Sequence, residues 1–312
     1  MKIAFQMESP ADADREYSAS LLLIQEACAR GHEVFHYLPE NLSLDHNDGI
    51  RAFAAPITVD LAKEPHYTLG TYGAVDLTEF DAVFLRQDPP FDMGYLSTTY
   101  ILERLHRRGV YVSNDPFWVR NMPEKLSIFD FAEYLPPTLV TRDMREIEKF
   151  FSEHKDVVIK PLYSFHGHGI VRCSSAAQAR KEIGAANDPL MFQPFLKEIY
   201  EGNKRIVLFD GEIAGALSTV LGQGEEFRIF RDSVDVAYEP SESEIAMCKK
   251  IGRVCKERGQ AFVGIDLIGP YLTEINVTST GSLARLNKIY GGKFEAKLWD
   301  VFEKKIWAHK IF

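Results

Sequence analysis

Three oxygen-bearing side chains, Asp266, Glu274 and Asn276, stand on either side of a Gly269-Pro270 turn in the stretch AFVGIDLIGPYLTEINV, residues 261–277. If the two arms pair across that turn, 266 and 274 come together and share their parity with 276, so all three face one side of the ladder. Val263, Ile265, Leu267, Ile275 and Val277 take the other side. Two carboxylates and an amide backed by an apolar face make a hard-oxygen donor set suited to magnesium, an ion that commonly shares its coordination with substrate phosphates. The plainer alternative is a solvated sheet face.

Phosphate chemistry also needs cations. Lys160 ends the strand-like VVIK just before the loop YSFHGHG, residues 163–169. Lys125 follows Pro123 at an expected helix start, and Lys204-Arg205 open a hairpin that turns at Asp210-Gly211. Taken singly, each of these lysines is equally readable as a solvent-facing charge. No G-x-x-x-x-G-K-[S/T] run is present, and Gly167-His168-Gly169 alone does not specify a dinucleotide site. Protonated His166 and His168 could meet a phosphate or carboxylate; exposed loop histidines are the competing reading.

Residues 32–36 spell HEVFH, the zinc-protease pattern. That chemistry needs a helix, where positions i and i+4 share a face. Here Gly31 ends a helix, and Val34, Phe35 and Tyr37 favour a strand, on which four residues span roughly 13 Å. Two ligands so far apart cannot share a tetrahedral ion with bonds of roughly 2 Å. Cys28, Cys173, Cys248 and Cys255 form no C-x-x-C pair and read as structural residues in a reducing compartment.

The elements that must position these groups fall into two styles. Strand-like 2–7, helical 16–30, strand-like 32–38, then 80–87, 98–108 and 109–114 repeat a strand, helix, strand order, so the first third is α/β with parallel strands. After Asn114 come a Pro-punctuated helical region, a strand at 138–140, a helix over 143–154 and a strand over 156–162. The C-terminal part is hairpin-rich and predicts an antiparallel sheet, with helices over 241–258 and 293–308. The 36 Lys and Arg against 45 Asp and Glu give a net charge of −9, which excludes a basic nucleic-acid binder by composition. The opening KIAFQM lacks a secretory pattern, and no apolar run approaches the roughly 20 residues that span a bilayer. The expectation is a cytoplasmic protein with neither membrane nor nucleic-acid partners.

The chain resembles the bacterial glutathione synthetases of the ATP-grasp superfamily. The blocks that carry the resemblance are LRQDPPFD at 85–92, TYILE at 99–103, PEKL at 123–126, VIKPL at 158–162, Lys204-Arg205 before Asp210-Gly211-Glu212, VGID at 263–266 and TEINVTS at 273–279. They run in family order over nearly the whole chain. The resemblance implies an N-terminal pre-ATP-grasp α/β domain (1–122), a small ATP-grasp lid subdomain (123–193) and a C-terminal catalytic subdomain (194–312). It also implies ATP held between two antiparallel sheets. Lys125 and Lys160 become phosphate-binding lysines, and Gln193, Phe195 and Leu196 belong to the hinge along the adenine. Asn203 and Lys204 complete the nucleotide site, Asp266, Glu274 and Asn276 become ligands of magnesium or manganese, and Arg205 and Arg228 stabilise the transferring phosphoryl group. Arg86, Asp88, Ser279 and Thr280 face the peptide substrate. The implied reaction joins gamma-glutamylcysteine to glycine through an acyl phosphate, with release of ADP and phosphate by a homo-oligomer.

Departures from the family pattern cluster in the covering loops. Tyr163 to Gly169 stands where a Gly-rich run is expected, Ile229 to Asp235 follows Arg228 in place of an alanine-glycine-rich loop, Asn203 replaces an acidic residue, and Thr280 replaces a proline. These changes leave open a different amine acceptor or a non-catalytic ATP-binding regulatory paralogue.

Overall fold

Three sheets organise the chain; the computed structural model describes residues 1–164, 167–221 and 233–310. In the first sheet, strands Glu33–Tyr37, Lys2–Gln6, Ala82–Leu85 and Tyr111–Ser113 lie side by side in parallel. Their nearly unbroken apolar runs suit strands covered on both faces. The helix expected from residue 16 begins at Ala19, with the Ser18 side chain as its cap. It starts late because the Asp14 carboxylate accepts from the Glu16 and Tyr17 amides and holds them in a turn. Gly31, at φ 76°, ends that segment. The sequence reading missed strands Leu42–Leu44, Ile50–Val59, Tyr67–Leu69 and Gly73–Asp76, which extend the sheet to eight strands. The chain leaves Lys2–Gln6 for Glu33–Tyr37 on one side, while Ala82–Leu85 lies on the other. The ends of the two inner strands therefore open a crevice, the usual ligand position in such sheets.

The second sheet is antiparallel, in the order Val171–Cys173, Val157–Pro161, Leu190–Pro194 and Leu139–Thr141. Helices Met144–Glu153 and Ala176–Ala185 cover one face through Ile147, Phe150, Phe151 and Ile183.

The third sheet, also antiparallel, runs Val234–Ala237, Glu212–Val220, Asn203–Phe209, Phe262–Ile268 and Tyr271–Asn276. Asp210 at φ 49° and Gly211 at φ 86° make the expected two-residue hairpin turn. Helix Glu242–Glu257 seals one face, packing Met247, Cys248, Ile251 and Cys255 on Ile206, Leu208, Val263, Ile265 and Ile275. Gly252 on this helix backs directly onto Gly211, where a side-chain carbon would sit 2.6 Å from the Gly252 carbonyl. On the other face, Val207, Phe209 and Leu217 join Leu286, Phe294, Trp299 and the first helix in one core. All four cysteines are free, and burial pushes the Cys248 and Cys255 thiols up to about 12, which makes them packing residues.

HEVFH does form a strand, and its histidines have unrelated partners. His32 Nε2 lies 3.0 Å from Glu303, while the buried His36 donates from Nε2 to the Glu8 carbonyl at 3.1 Å. The helix expected at Lys125 is instead a turn that leads into the 3-10 segment Ser127–Tyr134. No helix among the described residues is long and apolar enough to cross a membrane.

Candidate active site

The second and third sheets face each other across a cleft of about 850 Å³, whose lining also includes Tyr17, Asp88 and Pro89 from the first layer. Its chemistry begins with the Phe262–Ile268 and Tyr271–Asn276 hairpin, whose register places Asp266 opposite Glu274 and Gly264 opposite Asn276. A bulge after Asp266 pairs Leu267 with Leu272 and displaces Thr273, whose hydroxyl donates to the Asp266 carbonyl at 3.0 Å. Leu272 thereby joins the core although its parity matches the site residues. Glu274 and Asn276 keep their side facing the cleft.

Arg205, on the neighbouring strand, is paired with Asp266 by register and by charge. Its Nε donates to Oδ1 at 2.6 Å and its Nη2 to Oδ2 at 2.5 Å. Burial opposes the guanidinium charge, but Asp266, with Glu274 and Glu124 beyond, raises its pKa above the ordinary arginine value.

Two buried lysines approach from the other side. Lys125 Nζ donates to the Ser164 carbonyl at 2.8 Å and lies 3.4 Å from Glu274 Oε1. Lys160 makes no ion pair within 4 Å among the described residues, and burial lowers its pKa, with Glu274 opposing and Lys125 adding to the effect. A buried ammonium without its own counter-charge is costly unless an anion joins it. Glu124 lies among these groups. Burial, reinforced by Glu274, pushes its carboxyl up to about 7, and the Thr278 hydroxyl donates to it at 2.6 Å.

Asp266, Glu274 and Asn276 fit a hard divalent cation. Among the described residues no three His, Cys, Asp or Glu side chains gather around one point, and the two carboxylates are accompanied in the cleft lining by the Asn276 amide. Asn276 turns its amide nitrogen to Asp266 Oδ2 at 3.2 Å and to the Gly264 carbonyl at 3.4 Å, which leaves its carbonyl oxygen as the donor atom.

The model for the prokaryotic glutathione synthetase ATP-grasp domain matches residues 124–291, and that for the N-terminal domain of the same family matches residues 1–120. The chain belongs to the prokaryotic glutathione synthetase family. Glutathione synthetase of Rhodopseudomonas palustris is 40% identical over 98% of this chain and 99% of its own length. That of Mesorhizobium japonicum is likewise 40% identical, over 98% and 99%. In fold, the chain is similar to D-cycloserine synthetase DcsG, with TM-score 0.68 and 15% identity over 98% of this chain and 100% of that one. It is also similar to ATP-grasp ligase PsnB complexed with a phosphomimetic variant of its minimal precursor, Mg and ADP, with TM-score 0.62 and 18% identity over 99% and 98%.

Within this glutathione synthetase fold, most of the residues singled out in the sequence converge. Lys125, Lys160, Gln193, Phe195, Leu196, Asn203, Arg205, Asp88, Ser279, Thr280 and the three oxygen donors all line the one cleft. Gln193 is anchored by donating to the Thr138 hydroxyl at 3.0 Å. Lys204 does not join them. Alternation along its strand sends it to the opposite face, where its ammonium donates to Glu244 at 2.8 Å and to the Gly269 carbonyl at 2.9 Å. Arg86 is buried, donating from Nε to Ser20 at 3.1 Å and from Nη2 to the Thr280 carbonyl at 2.8 Å, so it braces the cleft wall. Asp92 of the DPPFD block caps helix Met93–Arg107 through the Tyr95 amide at 2.9 Å. Arg228 and His166 lie outside the described residues, and His168 is exposed.

Glu124, Thr278 and Arg285 were missed by the sequence reading. The position of Glu124 beside Lys125 was the available signal for the first. Arg285 had none, because its place at the cleft depends on Asp235 and Thr219, which hold its guanidinium from two strands of the third sheet.

Proposed function

We propose that this chain joins gamma-glutamylcysteine to glycine as an ADP-forming carboxylate-amine ligase. Family membership over the full chain supports the reaction class. The observation that carries the nucleotide assignment is the pair of buried lysines, Lys125 and Lys160, with Glu274 as their nearest shared carboxylate. A polyphosphate would supply the missing negative charge.

The reaction needs an activated carboxyl because oxide is a poor leaving group. A carboxylate oxygen bonds to the terminal phosphorus of ATP as the bond to ADP breaks. The amine nitrogen then bonds to the acyl carbon, the bond to phosphate breaks, and the amine loses a proton. Lys125 and Lys160 bind phosphoryl oxygens, and Arg205, fixed by Asp266, is positioned against the charge of the transferring group. Gln193, Phe195, Leu196 and Asn203 hold the nucleoside end. Asp266, Glu274 and Asn276 would hold magnesium, which neutralises charge on the phosphates when bound. Asp88, Ser279 and Thr280 serve the peptide side. The three sheets support a division at 1–122, 123–193 and 194–312.

Release of ADP, coupled to a spectroscopic readout, tests this reading with gamma-glutamylcysteine and glycine present singly and together. Turnover is expected only with both. No turnover above either alone, with tight ATP binding retained, would replace the ligase with a regulatory ATP-binding protein.

A further inference from the structure

We propose that a groove between the Asp210-Gly211 hairpin and helix Phe294–His309 binds an elongated organic dianion with an apolar middle, of the aliphatic dicarboxylate class. The groove holds about 580 Å³, inside the range of roughly 300–1,000 Å³ typical of small-molecule sites. It shares no lining residue with the catalytic cleft. One strand serves both: Asn203–Phe209 carries Arg205 into the cleft near its start and Phe209 into the groove at its end.

Two contacts set the direction of the groove. Lys305 Nζ lies 2.6 Å from Asp210 Oδ1 at the hairpin turn. A side-chain carbon on Gly215 would sit 3.0 Å from the Phe294 ring, one residue beyond the groove's Ala214. The strand leaving the turn therefore runs antiparallel to the helix, and Ile213, Ala214 and Val301 form an apolar floor between them.

The rim above that floor is basic. Lys256 and Lys305 share the single Asp210 carboxylate, at 3.0 Å and 2.6 Å. Lys297 and Lys304 also line the groove, both are exposed, and neither makes an ion pair within 4 Å among the described residues. With Asp210 and Glu212 as the groove's carboxylates, its four lysines leave a local excess of two positive charges in a chain of net charge −9. Such an excess attracts anions against the field of the whole molecule.

Spacing selects the shape of the ligand. Lys297 and Lys304 are seven residues apart on one helix, a rise of about 10 Å over two turns. An anionic group at each end meets both ammonium groups, and an apolar middle removes the floor from water. A compact anion leaves that floor wet.

Calorimetric titration with sebacate, an aliphatic dicarboxylate, tests the site in the full chain. One molecule is expected to bind per chain, equally with and without ATP. Decanoate, of the same length with one charge, should bind about threefold more weakly, and succinate, too short to span the groove, should not compete. Lys297→Gln combined with Lys304→Gln should weaken sebacate binding by about tenfold. The melting temperature of the unliganded double variant should not change, because neither lysine is paired, which reports a folded protein. Sebacate bound as tightly by the double variant, or displaced by ATP, lies elsewhere and overturns the proposal. Absence of both a heat of binding and a rise in melting temperature overturns it too. A change of subunit number in the double variant, read by analytical ultracentrifugation, would replace the small-molecule site with a contact between copies of the chain.

Discussion

Arg205 and Asp266 sit directly opposite each other on adjacent antiparallel strands and close a two-point ion pair, 2.6 Å and 2.5 Å long, on the floor of the cleft. The pair aims a planar cation at the cleft and places a carboxylate beside Asn276.

Arg205→Lys keeps the charge and loses the fork. Because a point charge cannot reproduce the bidentate geometry, kcat should fall by about 10²- to 10³-fold, the scale of removing one group that stabilises developing charge. Steady-state kinetics check this. An unchanged kcat would remove Arg205 from the phosphoryl site.

Lys160→Met should stabilise the nucleotide-free protein and weaken nucleotide binding, because the lysine is buried without an ion pair of its own. The ATP dissociation constant should rise by about tenfold or more, the cost of one charge-assisted hydrogen bond. Calorimetric titration and thermal melts of the same sample give both signs.

Glu124 makes the metal-free protein pH-sensitive. Its carboxyl titrates near 4.5 when unfolded and is raised to about 7 in the fold, so the native state binds the extra proton between those values. Stability from this group is therefore complete below about pH 4.5 and declines as pH rises through about 7, by at most about 3 kcal/mol. Glu124→Gln should flatten that part of the profile, measured as denaturant midpoints with a chelator present.

Gly252→Ala should destabilise the third sheet without touching the cleft. A methyl group there would run into the Gly211 carbonyl, and backbone cannot swing aside as a side chain can. A loss of about 1–3 kcal/mol is expected, read as a lowered melting temperature with substrate KM values unchanged in the folded fraction.

The hairpin of Asp266, Glu274 and Asn276 was legible because strand parity and a glycine turn are local properties. Its bulge was not: the displacement of Thr273 becomes visible only when Leu272 must reach the core. The same parity rule would have separated Lys204 from Arg205, since neighbours on a strand face opposite ways. Sequence reading groups both as cations at the start of one hairpin. Glu124 was hidden because its raised pKa comes from burial and from Glu274, distant in the chain. The strand Ile50–Val59 alternates buried and exposed side chains over much of its length, a pattern present in the sequence but unread.

Arg86 has a consequence for how such enzymes can be recombined. Its guanidinium leaves the first sheet, passes Ser20 and ends on the Thr280 carbonyl, so one side chain spans two units that are far apart in the chain. A chimaera that exchanges the N-terminal third between relatives would therefore inherit a mismatched wall unless residue 86 and the 278–282 loop travel together. Inheritance of this fold by parts has to respect that joint.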